Sequence, residues 1–407
     1  MLSTLPTCDD VEAAAATLNG IALETPCVAS PLLSTLTGAD VVMKLENRQH
    51  TGSYKMRGAH VKLASLGERA RRGVVAASAG NHAQGVAYNA ARMHLPSTIV
   101  MPETTPNCKI RSTQNYGARV VLHGRTVADS MERARSIAQD EGLTIIPPFD
   151  DPAIVAGAGT VGLELLRAAP SLDVLLVQVG GGGLISGVAL AAKAHDARIR
   201  IIGVQTELYP GLHNARAGLP EPSGGATLAE GVAVTRIGEL NRALLAELID
   251  DVVLVDEATI EFAVHLLLEE EKMLVEGAGA LGVAALLKYR ERFAGQRVGV
   301  ILSGGNIDTG LLSYVISRVR LREHRVVCVR VEMLDIPGAL AQASEAVARC
   351  GANVLEVTHR RLFTNVLAKC MQLDLTLEVR RPADITVIVE ALNALGFQAT
   401  LLTNGNA

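Results

Sequence analysis

The chain has 407 residues, 49% hydrophobic and 20% charged, with a formal net charge of -4. That length favours two or three domains over a single core, and the charge supplies no basic patch for nucleic acid or anionic lipid. Tryptophan is absent and aromatic residues make up only 3%, which argues against a surface built on base stacking.

The N-terminal stretch "MLSTLPTCDDVEAAAATL" has neither a basic leader nor an apolar h-region, so no signal peptide is expected. No apolar run is long and clean enough for a membrane span. Cys8, Cys27, Cys108, Cys328, Cys350 and Cys370 lie too far apart for metal or redox motifs. They read as free or buried thiols in a reducing cytosol. The ten histidines likewise show no metal spacing.

From residue 41 to about 315, β-rich runs alternate with helical ones. "DVVMKLE", "GVVAASAG", "STIVMP", "ARVVLHG", "VLLVQVGGGG", "RIIGVQTE" and "VGVILSGGN" predict strands. "HAQGVAYNAARM" and "VADSMERARSIAQDEG" predict amphipathic helices. The alternation predicts α/β units around parallel sheets, and in such sheets ligands bind at the carboxyl ends of strands.

Past residue 320 the texture changes. "SRVRLREHR" reads as a solvated connector. "VVCVRVE" predicts a strand. "GALAQASEAVARCG" predicts a helix with Leu340, Ala343, Val347 and Cys350 on one face, and "NVLEVTH" a second strand. "MQLDLTLEV" alternates, with Met371, Leu373, Leu375, Leu377 and Val379 inward and Gln372, Asp374, Thr376 and Glu378 outward. "ADITVIVEALNALG" carries Ile385, Ile388, Val389, Leu392 and Leu395 on one stripe, and "FQATLL" is a last strand. The order βαββαβ predicts a small ferredoxin-like domain over about residues 325–402.

Four stretches carry chemistry. Gly180, Gly181, Gly182 and Gly183 end a buried strand where a helix begins, so their N–H groups can face an anion, and phosphate is the natural guest. The dinucleotide pattern fails, because Ile185 or Ser186 stands where its last glycine belongs. The nucleotide P-loop fails because Val188 and Ala189 replace its Lys and Ser/Thr. "SAGNHAQG" (78–85) ends a second strand in small residues. Its exposed N–H groups suit a substrate carboxylate, and Asn81 suits a phenolic oxygen or imine; a plain capping asparagine is the simpler reading of Asn81 alone. "SGGNID" (303–308) ends a third strand, where Ser303 can meet a ring nitrogen without bringing charge, or simply form a turn. "TGSYKMRGA" places Lys55 after a small-residue turn. An amine, a phosphate cradle, an amide donor and a neutral hydroxyl are together what pyridoxal phosphate needs.

"KLENRQHTGSYKMRGA", "SAGNHAQGVAY", "VGGGGLISG", "LAEGVAVTRIGE" and "LSGGNID" resemble the threonine dehydratase (threonine ammonia-lyase) family of fold-type II pyridoxal-phosphate enzymes, over about residues 5–320. The segment after residue 325, with "DIPGAL", resembles an ACT regulatory domain. The resemblance implies a catalytic domain over 1–320, with a small subdomain at about 48–152, and an ACT-like domain over 325–402. It makes Lys55 the Schiff-base lysine and general base at the substrate Cα. Asn81 would bind the phenolic oxygen, Gly180 to Leu184 the phosphate and Ser303 the pyridine nitrogen. Ser78, Ala79, Gly80, Asn81 and His82 would surround the substrate. Tyr54 stands where the family more often has phenylalanine, which keeps ring stacking but adds a hydroxyl needing a partner.

The implied reaction is deamination of threonine to 2-oxobutanoate and ammonia, or of serine to pyruvate and ammonia, by α,β-elimination of water, in isoleucine biosynthesis or threonine catabolism. A neutral Ser303 leaves the ring a weaker electron sink than a carboxylate would, which suits elimination over transamination. A serine racemase would need a second acid/base, and Ala79 stands where the racemase-like pattern has serine. A β-replacement enzyme would carry its lysine in another local pattern. A 3-hydroxyaspartate ammonia-lyase, and a non-catalytic amino-acid sensor on the same fold, are the other readings. Glu230 and Glu276 are open between a cofactor or cation role and structural hydrogen bonding.

For the C-terminal segment, Asp335, Pro337 and Gly338 shape a turn that opens a helix, where N–H groups can meet an amino-acid carboxylate. The resemblance implies isoleucine as inhibitor and valine as antagonist, with a purely associative domain as the plainer alternative. It also implies a homodimer or homotetramer.

Overall fold

The structure, a computed structural model, describes residues 5–222, 224–361 and 366–402. In chain order the strands are β1 (Cys27–Ala29), β2 (Asp40–Lys44), β3 (Val74–Ala77), β4 (Ser97–Met101), β5 (Arg119–Leu122), β6 (Thr144–Ile145) and β7 (Val174–Gln178). Then come β8 (Arg200–Thr206), β9 (Asp251–Val255), β10 (Arg297–Ile301), β11 (Val326–Leu334), β12 (Asn353–Arg360), β13 (Cys370–Glu378) and β14 (Gln398–Leu402). By its contacts the chain divides into two units, Met1–Thr309 and Gly310–Ala407.

The first unit holds two sheets. The larger runs β1-β2-β10-β7-β8-β9, parallel except for β1. The smaller runs β5-β4-β3-β6 and is parallel throughout. Strands β3, β4 and β7 are buried at every position, as continuous apolar runs covered on both faces should be. The runs expected as strands between residues 40 and 306 all form them. Three strands escaped notice. β1 has three residues and β6 only two, too short to show alternation, while "DVVLV" of β9 is apolar without a period.

Helix Pro152–Ala168 joins the two layers. A Cβ on its Gly157 would lie 2.7 Å from the Cα of Gly58 in helix Lys55–Leu66. A Cβ on Gly187 of helix Gly183–His195 would lie 2.7 Å from the Cα of Gly159. Backbones meet there with no room for side chains, and only glycine permits that approach. Three helices are thereby stacked at fixed spacing. One brings Lys55 at its first position; another begins in the glycine run.

The second unit is an antiparallel sheet in the order β12-β13-β11-β14, with helices Ala339–Arg349 and Asp384–Ala394. It has the βαββαβ order expected. Met371, Leu373, Leu375, Leu377 and Val379 are all buried in its core with Val329, Val331, Ala343, Val347, Ile388 and Leu392.

Some local expectations need correction. "SRVRLREHR" is not a connector: helix Thr309–Arg322 runs through most of it, with Val315 and Val319 buried one turn apart and Arg320 paired with Glu378 of β13. Its arginines are good helix formers. Leu340 and Leu395 lie exposed at 42% and 41%; each sits at a helix end, where the stripe runs off the sheet. Gln372 and Asp374 point away from the core as expected but are buried, because Arg330 and Arg360 fold over Asp374 at 2.7 and 3.0 Å.

Candidate active site

Four chain segments converge at the carboxyl ends of β3, β7 and β10. An isolated antiparallel bridge joins Ser53 to Gly304. The Tyr54 N–H donates to the Ser303 carbonyl at 3.1 Å. These contacts dock the Lys55 turn on the loop after β10. Tyr54 caps helix Lys55–Leu66, and the Lys55 Nζ lies 5.3 Å from the Tyr54 ring centroid and donates to the Pro148 carbonyl at 3.0 Å. A small cavity is lined by Tyr54, Lys55, His82, Pro148, Gly183 and Leu184. The lysine amine and the start of the glycine-capped helix therefore share one wall.

The glycine run fits an anion. Gly182 has φ +99°, a left-handed conformation, and is the N-cap of helix Gly183–His195, which has no side-chain cap. Its leading N–H groups are left without side-chain acceptors. A Cβ on Gly181 would enter the Phe149 ring at 2.2 Å, and one on Gly180 would reach 3.0 Å from Val232 Cα. Asn241 fastens the loop by donating to the carbonyls of Gly181 and Phe149, each at 3.1 Å.

The loop Ser78, Ala79 and Gly80 leads into helix Asn81–Arg92, whose N-cap Gly80 supplies no side chain. The Ser78 hydroxyl accepts from the Gly80 N–H at 3.2 Å. Asn81 is held at both ends of its amide. Its Nδ2 donates to Glu276 Oε1 at 2.6 Å, and its Oδ1 accepts from Asn306 Nδ2 at 2.7 Å. Asn306 also donates to the Thr51 carbonyl at 2.8 Å.

Two titratable groups here are displaced from ordinary values. His82 is buried, and burial, helped by the positive Lys55, pulls it down to about 4. Its Nε2 sits 3.0 Å from the Ile146 carbonyl. A carbonyl only accepts, so Nε2 carries the proton and Nδ1 is left as an acceptor. Glu276 is pushed up to about 7, chiefly by burial and further by Glu230; the Asn81 hydrogen bond, Lys109 and Lys55 oppose the rise.

Of the residues expected at the site, Tyr54, Lys55, His82, Gly183 and Leu184 line the one cavity. Asn81 lies against Gly304, next to Ser303. Ser303 is 3% exposed. Gly180 and Gly181 lie under Val232 and Phe149. Asp335, Pro337 and Gly338 lie in the second unit, between β11 and helix Ala339–Arg349. Glu230 pairs with Lys109. The sequence reading missed Pro148, Phe149, Asn241 and Asn306 as neighbours of the site. Asn306 lies inside the "SGGNID" motif and was within reach; the other three carry no local signal.

An amine, an uncapped glycine-rich helix start, an amide and a buried hydroxyl thus meet at one place. The family described as "Pyridoxal-phosphate dependent enzyme" matches residues 19–304. The chain is 41% identical over 399 residues to an L-threonine ammonia-lyase of Thermotoga maritima, covering 97% of this chain and 99% of that one. The processed form of threonine deaminase isoform 2 from Solanum lycopersicum superposes with a TM-score of 0.73 at 35% identity, covering 78% of this chain and 91% of that one. Maize serine racemase gives the same TM-score at 31% identity, covering 79% and 99%. With the fold, the matched family and the near full-length similarity all agreeing, the chain belongs to the pyridoxal-phosphate-dependent enzymes, within the threonine ammonia-lyase family.

Proposed function

We propose that this chain deaminates L-threonine to 2-oxobutanoate and ammonia, and L-serine to pyruvate and ammonia: a water leaves in the α,β-elimination and a water is taken up again when the released imine is hydrolysed. The observation that carries the reading is the Lys55 amine in the cavity that also receives Gly183 and Leu184. The near full-length threonine ammonia-lyase relative supports it.

Pyridoxal phosphate supplies an electron sink for the pair left at the substrate Cα when its C–H bond breaks. Lys55 would hold the cofactor through its amine, and that amine, once set free by exchange with the substrate amine, would take the Cα proton. The Pro148 carbonyl fixes its amine by one hydrogen bond. Gly180 to Leu184 would receive the phosphate at a helix N-terminus that has no side-chain cap. Asn81 would present its amide to the phenolic oxygen and Ser303 its hydroxyl to the ring nitrogen, with the Tyr54 ring beside the Lys55 amine. Ser78, Ala79, Gly80, Asn81 and His82 receive the substrate carboxylate, where helix Asn81–Arg92 starts without a side-chain cap. The His82 side chain, kept neutral at pH 7 by burial, donates its Nε2–H to the Ile146 carbonyl and brings no charge to that site.

The racemase alternative is weighed at Ala79. That methyl cannot carry a proton to the far side of the substrate Cα, so elimination is favoured over inversion. Keto-acid release measured for threonine, serine and 3-hydroxyaspartate tests the reading; turnover confined to 3-hydroxyaspartate would replace it.

The proposal extends to the C-terminal residues as a regulatory domain over about 325–402, with residues 1–320 catalytic. Asp335 is held by Arg361 at 2.9 Å, and Gly338, at φ +90°, caps helix Ala339–Arg349 without a side-chain hydrogen bond. That turn is offered to isoleucine, with valine as antagonist, in a cytoplasmic homodimer or homotetramer. Among the described residues no helix is long and apolar enough to cross a membrane, and no cluster of His, Cys, Asp and Glu forms a metal site.

A further inference from the structure

We propose that Glu276 is a positioning residue that acts through Asn81: by holding one N–H of the Asn81 amide, it fixes how the other is presented to the cofactor. The inference rests on the reading above that Asn81 faces the phenolic oxygen.

The geometry leaves Asn81 little freedom. Its Oδ1 is taken by Asn306, which is itself tied to the Thr51 carbonyl, and one N–H of Nδ2 is taken by Glu276 Oε1 at 2.6 Å. An amide NH₂ has two donors, so one N–H remains. The amide cannot flip, because exchange of O and N would place its oxygen against the carboxylate and its NH₂ against the Asn306 donor. Glu276 is in turn fixed from behind. It is the N-cap of helix Gly277–Lys288, and its N–H donates to the Gly304 carbonyl at 3.0 Å. A Cβ on Gly304 would meet its Oε1 at 2.5 Å and Asn81 Nδ2 at 3.1 Å. Residue 304 must therefore lack a side chain for the carboxylate and the amide to meet.

The charge on Glu276 matters because the pair is enclosed. As a carboxylate it polarises the Asn81 N–H bonds and weakens the remaining N–H as a donor; as a neutral acid it does so less. The charged groups facing it are Lys55 from the cofactor side, Lys109 from helix Asn107–Gln114 and Glu230 from the turn Glu230–Val232. Lys109 and Glu230 are paired with each other, so their fields partly cancel. Burial then leaves Glu276 titrating at about 7.

The test is visible absorption of the holoenzyme between pH 5.5 and 9, with cofactor occupancy checked by borohydride fixation and mass. Wild type is expected to show a spectral transition with a midpoint near 7. Glu276→Gln keeps the acceptor and should retain cofactor but lose that transition. Asn306→Ala should shift the band while keeping the transition, and it serves if Glu276→Gln fails to fold. Asn81→Ala should abolish both effects. A spectrum unchanged in Asn81→Ala would show that Asn81 does not face the cofactor, and the underlying reading would fall. A band that responds to Asn81→Ala, with an unaltered midpoint in Glu276→Gln, would overturn the positioning role of Glu276 alone.

Discussion

Lys55 and Arg57 are two residues apart on one helix and could hardly be treated more differently. The Lys55 amine has one hydrogen bond, to a carbonyl, and lines a cavity. Arg57 is 1% exposed and makes six hydrogen bonds, to Glu46, Glu164, Thr160 and the Leu23 carbonyl. Lys44, fully buried, adds a second bridge to Glu164 at 2.5 Å. Burial by itself works against the charged forms of Glu46 and Arg57. Instead Arg57 holds Glu46 below its usual range despite burial, and Glu46 and Glu164 hold Arg57 above its own. A helical step of two residues turns about 200°, so the same first turn faces the cavity on one side and the scaffold on the other. The group proposed to react is left with few partners, and the neighbour that anchors its helix is saturated.

The largest effect should come from breaking the reactive side. Lys55→Ala is expected to cut turnover by at least about 10³-fold, as loss of an acid/base group does, and to remove the visible band of lysine-bound cofactor in the same variant. Near-normal turnover would sink the assignment. Its thermal midpoint without added cofactor should stay close to wild type.

Arg57→Met breaks the other side. Leaving Glu46 buried without its partner should cost about 3–5 kcal/mol, read by urea denaturation. If Lys55→Ala proved the more destabilising of the two, the contrast between the two sides would be wrong.

The loop before helix Asn81–Arg92 sharpens the contrast further. With Ala79 in place, L-serine should give pyruvate with little D-serine, and chiral chromatography of the product checks this. D-serine formed as fast as pyruvate would overturn elimination as the main reaction.

Stability against pH separates the two shifted groups by sign. His82 is depressed from 6.5 to about 4. The unfolded chain binds the extra proton, so its contribution is present above 6.5 and lost as pH falls toward 4. Glu276 is raised from 4.5 to about 7. The folded chain binds the extra proton, so stability falls as pH rises from 4.5 to 7. Glu276→Gln removes only the second slope. Its thermal midpoint relative to wild type is expected to climb across that window and level off above 7. A difference flat with pH would remove the shift.

The smallest effect concerns the C-terminal turn. Isoleucine should inhibit wild type with a coupling of about 1–3 kcal/mol. Gly338→Val, which strains a φ of +90°, should weaken the response without lowering uninhibited turnover. An isoleucine response equal in both proteins would move the effector site elsewhere.

The parallel strands were legible because fully buried strands announce themselves as apolar runs, and β13 was legible from its strict alternation. Lys55, Asn81, the glycine run and Ser303 stood out because each follows a strand or a turn in a short, chemically odd cluster. Local pattern failed where elements were too short, as in β1 and β6, and where arginines concealed the helix Thr309–Arg322.

The sequence by itself determined most of the buried strands, the βαββαβ order of the second unit and the stretches singled out for chemistry, since period and turn chemistry are local properties. It could not decide how far the amine lies from the glycine run, or what holds Asn81. Those distances are set by backbone contacts at Gly58–Gly157 and Gly159–Gly187, and by an amide between Glu276 and Asn306, 195 and 225 positions away from it. Such pairs are chosen by close packing of distant segments, and no stretch of sequence records which glycine will meet which.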